Sequence, residues 1–203
     1  MRYLLKMIPI ALITVILSPV LVNDASAQSG ANAAAGYSTL RVDSSGTVIG
    51  VNTRTLIFIK GNKFRIENPS LREKVITIGD GKKSYLYYPD NNFAYILPGY
   101  QKTEVNAVPP EFFHIKNVAG AKYAGQQAVD GKLCDVYEYS QQETRYKVYI
   151  DKGNDFPLQF EIFTQNGSAI SKIQKDIPLD DSLFILPKGT EIRNMTRQIQ
   201  PIK

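Results

Sequence analysis

His114 is the only histidine in the chain and Cys134 the only cysteine, so nucleophilic or metal chemistry would have to be built around these two. With Asp135 they could form a nucleophile, base and orienter, the set that activates a thiol by placing an imidazole beside it. The plainer reading is that Cys134 alternates with Val136 along a strand, which suits a small buried hydrophobe. One histidine and one cysteine also fall short of the four nitrogen or sulfur ligands of a closed zinc site. Asp176, Asp180 and Asp181 carry oxygens that suit a hard cation, but a solvated turn ahead of Leu183-Phe184 explains them more simply. Asp80-Gly81-Lys82-Lys83 lacks the glycine spacing and the hydroxyl of a phosphate loop and reads as a hairpin turn. The expectation from these residues is no catalytic apparatus, no cofactor and no metal.

The aromatic residues are more informative. There are twelve tyrosines, nine phenylalanines and no tryptophan. Tyr85, Leu86, Tyr87, Tyr88, Phe93 and Tyr95 crowd two neighbouring predicted strands. Ordinary sheet packing is one account of them. A second sets Tyr85 and Tyr87 against a ligand cavity with their hydroxyls at its wet rim, leaving Leu86 and Tyr88 outward. A third is a contact site for another protein.

The elements that position these residues read as strands. From Tyr37 onward, β-branched and aromatic runs alternate with Gly, Asn, Asp and Pro at short intervals. Strands are predicted near 37–42, 53–59, 63–68, 74–78, 84–88, 93–97, 133–139, 145–151, 158–164 and 169–177. Lys60-Gly61-Asn62-Lys63, Gly79-Asp80-Gly81 and Gln165-Asn166-Gly167 supply turn chemistry between them. The fold class this implies is mainly β: one antiparallel sheet, strongly curved or rolled into a barrel, with one or two short helices. Only residues 108–131 interrupt the pattern. Pro109-Pro110 ahead of EFFHIKN suggests a short helix, and AGAKYAGQQ after it reads as loop or helix. Phe64 and Ile66 alternate with Arg65 and Glu67, as in a strand with one dry and one wet face. Leu56 and Phe58 lie opposite Ile57 and Ile59, so that strand meets apolar material on both sides.

Residues 1–27 differ from the rest. Arg2 and Lys6 precede the apolar run Met7–Val22, and Ala25-Ser26-Ala27 offers a small-x-small site before Gln28. These are the three parts of a cleavable secretory signal. The rival reading, an uncleaved anchor, is weakened by Pro9 and Pro19 in a run short of about 20 residues. Residues 28–36 are small and polar and read as a disordered leader; residues 37–203 read as one β domain. The 24 basic and 19 acidic residues fall to 22 and 18 once Arg2, Lys6 and Asp24 are removed. That mild excess lacks the dense basic cluster of a nucleic-acid binder. A single cysteine permits no internal disulfide, so stability must come from a buried core.

The order of several segments resembles the periplasmic lipoprotein carriers of the LolA type. IKGNKFRIENPS and VITIGDGKKSYLYYP between Leu56 and Pro89 match in kind, as do PLQFEIFTQNG and IPLDDSLFILPKGTEI between Pro157 and Ile192. AVDGKLCDVYEY resembles a passage of related envelope domains. The resemblance implies an incomplete barrel whose concave face holds acyl chains, with acyl lipid or lipoprotein as partner and inner- or outer-membrane acceptor proteins as candidates for the next step. It implies a soluble monomer in the periplasm that binds or carries rather than catalyses. The alternative is an envelope-stress regulatory module of the same fold, acting by protein contact. Aligned this way, Lys60 faces the cavity, and the expected lining is Leu56, Phe58, Lys60, Phe64, Ile66, Tyr85 and Tyr87. The sequence departs from the family in having Lys60 where the carriers have an arginine, and in having only nine residues between the signal and the first strand.

The signal reading predicts cleavage after Ala27. Intact-mass measurement of protein from the periplasmic fraction should give a chain starting at Gln28; a full-length, membrane-extracted species would contradict it.

Overall fold

The β-branched and aromatic runs pair into one 12-stranded sheet in the structure, a computed structural model that describes residues 37–97 and 107–194. In chain order the strands are β1 (Thr39–Val48), β2 (Val51–Lys60), β3 (Lys63–Glu67), β4 (Ile76–Gly79), β5 (Ser84–Tyr88), β6 (Phe93–Ile96), β7 (Lys122–Val129), β8 (Lys132–Gln141), β9 (Thr144–Asp151), β10 (Pro157–Thr164), β11 (Gly167–Lys175) and β12 (Glu191–Asn194). Across the sheet they run β12-β6-β5-β4-β3-β2-β1-β11-β10-β9-β8-β7. The sheet is curved and open and does not close into a barrel. The expected mainly-β, antiparallel-dominated class is therefore what forms. The predicted signal segment, 1–27, and the predicted leader, 28–36, lie outside the described residues. No helix among the described residues is long and apolar enough to cross a membrane.

Three details correct the sequence reading. Residues within AGAKYAGQQ form edge strand β7, not loop or helix; alanine, glycine and glutamine hid it because they pack a pleated surface poorly. A bulge between Tyr123 and Gly125 breaks its register with β8, a common way to blunt an exposed edge. At the other edge the four-residue β12 runs parallel to β6. Finally, β1 continues past the predicted end near residue 42, through Ser44-Ser45-Gly46 to Val48. It does so because β2 and β11 pair with it residue by residue from Leu40 to Val48, and Ser44 and Ser171 satisfy each other, hydroxyl to hydroxyl, at 2.7 Å.

Strand alternation and pairing send Leu40, Val42, Ile57, Ile59, Phe64, Tyr146, Val148, Ile150, Phe160 and Ile173 to one face, the inner face, where they form the main core. The segment Ala107–Val118 covers that face. Its 3₁₀ stretch, Pro110–Asn117, carries the buried residues Phe112 and Ile115. His114 kinks the stretch between them, with φ −132° and ψ 27°, and both side chains pack into the main core. The Phe112 ring meets the rings of Tyr146 and Phe160 edge-on, each at 5.3 Å. Tyr37 and Phe156 close the margin against Phe113, and burial pushes the Tyr37 hydroxyl up to about 12.

The opposite, outer face is buried in two other places. Ile78, Tyr85, Tyr87 and Ala94 form one cluster, with Leu186 packed on it from the segment between β11 and β12, residues 176–190, here called the C-terminal arm. Val129, Cys134, Val136 and Tyr149 form another.

Phe112 is fully buried, so Phe112→Ala should destabilise the protein by about 3–5 kcal/mol. Denaturant unfolding at unchanged slope measures this; a loss below about 1 kcal/mol would show that the segment does not plug the inner face.

Candidate functional site

The expected lining residues do not share one face. The Gly61-Asn62 turn between β2 and β3 pairs Lys60 with Lys63, Phe58 with Arg65 and Leu56 with Glu67. Directly paired residues point to the same side of a sheet. Leu56, Phe58 and Lys60 therefore stand on the outer face with Arg65 and Glu67. Phe64 and Ile66 stand on the inner face beside Ile59 and Ile57. The same rule carries through β4 and β5, where Ile78 pairs with Tyr85 and Ile76 with Tyr87, so both tyrosines are outer. The arrangement expected from sequence is corrected here: the register leaves Phe64 and Ile66 inside and puts the other five residues outside.

The contacts of Phe58 and Lys60, and of Lys63 and Arg65 beside them, show what this part of the outer face does. Phe58 lies under the Arg41 guanidinium, 5.9 Å from its ring centre. The Lys60 ammonium donates to the Leu179 carbonyl at 2.9 Å and stands 3.3 Å from Asp181, which Lys63 also holds at 2.9 Å. Arg65 donates to the Leu183 carbonyl at 3.1 Å. These three cations strap the C-terminal arm to the outer face, and the paired lysines hold the Asp181 carboxyl below the usual carboxylate range. Asp180 accepts the Ser182 N–H at 2.7 Å and caps the 3₁₀ turn Asp181–Phe184. Asp176 accepts from the Ser38 N–H at 2.9 Å. Each of the three acidic residues considered for a cation is thus engaged locally.

His114 and Cys134 are separated by the sheet. His114 is exposed on the segment over the inner face and borders a pocket of about 280 Å³ with Phe112, Phe113, Ile115, Lys116, Asn117, Ile150 and Asp155. Cys134 pairs with Asp151 on β8 and β9 and lies in the outer cluster with Val136 and Tyr149. Asp135, its neighbour in the strand, points to the other side and accepts from Gln126 at 3.1 Å. The trio does not assemble. Burial, followed by the Asp151 charge, raises the Cys134 thiol.

The register exposes a different group. On the inner face, Ile66 pairs with Thr77, Thr77 with Leu86, Leu86 with Tyr95 and Tyr88 with Phe93. Leu86, Tyr88, Phe93 and Tyr95 are half-buried and belong to none of the three buried clusters; on the same face Ile66 packs against the main core, with Thr77 standing between it and Leu86. The Tyr88 and Phe93 rings stack at 4.7 Å, and Tyr95 meets Phe93 edge-on at 5.4 Å. The Arg193 guanidinium of β12 lies 4.1 Å from the Phe93 ring centre and pairs with Glu191 at 2.8 Å. Burial raises the Tyr88 hydroxyl, with Tyr95 and Glu73 adding to it, so the phenol is neutral at physiological pH. The sequence reading turned Leu86 and Tyr88 outward. The Gly61-Asn62 turn pairs even with odd positions and so separates Phe58 from Phe64, but the 68–75 connection between β3 and β4 carries no such turn signal to extend that parity to β5.

No family model matches the chain, and no curated protein matches it. Among solved structures, an uncharacterized conserved protein from Thermus thermophilus is similar, with TM-score 0.50, 15% identity, and coverage of 79% of this chain and 93% of that one. The lipoprotein LppX of Mycobacterium tuberculosis aligns with TM-score 0.48 and 12% identity over 73% of this chain and 92% of its own. LprF from Mycobacterium bovis aligns with TM-score 0.49 and 10% identity over 80% and 94%. At these identities the likeness to the Thermus protein is one of fold.

The placement of Cys134 predicts that a thiol reagent labels it slowly in native protein and rapidly in denaturant, since only the accessible thiolate reacts. Cys134→Ala should cost about 1 kcal/mol in stability; native labelling as fast as denatured labelling would overturn the placement.

Proposed function

We propose that this is a binding protein of the bacterial envelope that takes acyl chains, free or attached to a lipoprotein, on the inner face of its sheet. The observation that carries this reading is the half-buried group Leu86, Tyr88, Phe93 and Tyr95, on the same face of the sheet as the main core. Aromatic and aliphatic side chains that are neither fully covered nor scattered singly are the usual lining of an apolar ligand site. Tyrosine hydroxyls and Arg193 at its margin suit the polar end of such a ligand, since a guanidinium pairs well with carboxylate or phosphate. The secretory signal pattern and the resemblance to LolA-type carriers support the same reading, and with it a periplasmic location and hand-over to a membrane acceptor.

The hydrophobic effect supplies the affinity. Each buried methylene contributes about 0.8 kcal/mol, so six contribute about 5 kcal/mol before the losses on association. The phenylalanine and tyrosine rings add contact area at little conformational cost.

A fluorescent fatty acid titration tests the site. Tyr88→Ala or Phe93→Ala should weaken binding by roughly 1–3 kcal/mol, about 5- to 150-fold. Phe58→Ala, on the outer face under Arg41, should leave it unchanged, and all three variants should melt cooperatively. Equal losses from Phe58→Ala and Tyr88→Ala, or a wild type that binds no apolar probe, would reject the inner-face site.

A further inference from the structure

The hairpin joining β1 and β2 ends in an apolar tip that the fold itself does not use. Val48 pairs with Val51, leaving Ile49-Gly50 as a two-residue turn with φ 50° and 75°. Turns with positive φ at both central positions favour Asn-Gly, and a β-branched residue fits the first of them badly. Ile49 is nevertheless there, 79% exposed, with Val51 62% exposed beside it. Neither turn geometry nor packing accounts for it.

The charge pattern around the tip points the same way. Residues 44–53 carry no charged side chain. At the base of the hairpin, Asp43 accepts from Arg54 through two contacts, Nε to Oδ1 at 3.0 Å and the terminal nitrogen to Oδ2 at 2.7 Å, and from Arg41 at 3.4 Å, so the base carries an excess of positive charge. The neighbouring turn, Gln165-Asn166, is also uncharged, and Asn166 accepts the Ile49 N–H at 2.8 Å. Beside β2, the Arg54 N–H donates to the Ser70 hydroxyl at 2.9 Å. That contact brings the loop holding Leu71, Arg72, Glu73 and Lys74 to the same end of the sheet; Leu71 is 37% exposed and the three charged residues are exposed too.

We propose that the Val48–Val51 tip docks the protein on a lipid bilayer by inserting Ile49 and Val51 into the interfacial region, with Arg72 and Lys74 set against anionic headgroups. Area decides between a bilayer and a protein partner. A stable protein interface buries about 800 Å² on each side, far beyond what a two-residue apolar tip offers. Bilayer insertion has no such threshold, because it gains with every methylene buried. A charge-free run suits the lower dielectric of the headgroup boundary, and the excess of arginine over aspartate at its base suits anionic headgroups. The inference stands whether or not the inner face takes a ligand.

The chain has no tryptophan, so Ile49→Trp makes a sole reporter at the tip, and Ile185→Trp on the C-terminal arm a control. Phosphatidylcholine vesicles containing phosphatidylglycerol should shift the emission of Ile49→Trp to the blue, with quenching by doxyl-labelled lipid, and leave Ile185→Trp unchanged. Because the signal comes from the tip itself, the apolar run Met7–Val22 cannot produce it. Ile49→Asn should lower vesicle partitioning about tenfold without lowering the thermal midpoint, since asparagine is at home in this turn. An unshifted Ile49→Trp, or an Ile49→Asn chain that partitions as wild type, overturns the proposal; binding to a protein but to no vesicle would give the first of these results.

Discussion

A curved sheet that stays open cannot cover its own apolar faces, and the rest of this structure follows from that constraint. A closed barrel hides one face inside itself. Here two segments without a single long helix do the covering. Ala107–Val118 lies over the inner face across β1, β2, β3 and β9 to β11, anchored by Phe112 and Ile115. The C-terminal arm lies over the outer face, strapped through Lys60, Lys63 and Arg65 and packed by Leu186 on Ile78, Tyr85 and Tyr87. The two covers sit on opposite faces and over different parts of the sheet. Among the described residues, the inner cover stops short of β5 and β6, where the inner face keeps its aromatic residues but not full burial, and that surface carries the proposed site.

The change of covered face along the sheet also explains why Lys60 behaves as it does. An exposed ion pair contributes little to stability, and Asp181 is largely exposed. A direct hydrogen bond to the Leu179 carbonyl and a second cation on the same carboxylate make a strap whose value lies in position more than in energy. Phe184 at the end of that strap is fully buried, so the apolar contact secures the arm and the charges set where it lies. Gly79 shows the same economy on the inner face: a Cβ there would fall 2.2 Å from the Phe64 ring, so only glycine lets that ring extend the core toward β4.

Much of the fold was legible in the sequence because alternation and turn chemistry are local. The strands around Phe64, Tyr146, Val148 and Phe160 announce one buried face each, and Cys134 beside Val136 reads correctly as a buried strand residue. What was not legible is how one strand's faces map onto the next. Phe58 and Phe64 are both aromatic and six positions apart, yet a two-residue turn between them sends them to opposite sides. Alternation within either strand carries no trace of that; only the parity of the pairing does. Strand β7 was hidden for another reason, because an exposed edge needs no apolar face to exist. The parallel β12 pairs with a strand roughly a hundred residues away, a relation that no local pattern records.

In the proposed function the inner face, and not the outer one, receives the acyl chain. Nuclear Overhauser contacts between a ¹³C-labelled fatty acid and the assigned protein test it at residue level. The account predicts contacts from the chain methylenes to Leu86, Tyr88, Phe93 and Tyr95 and none to Phe58, Tyr85 or Tyr87. Contacts to those three outer residues, or none to any residue of the sheet, would contradict it.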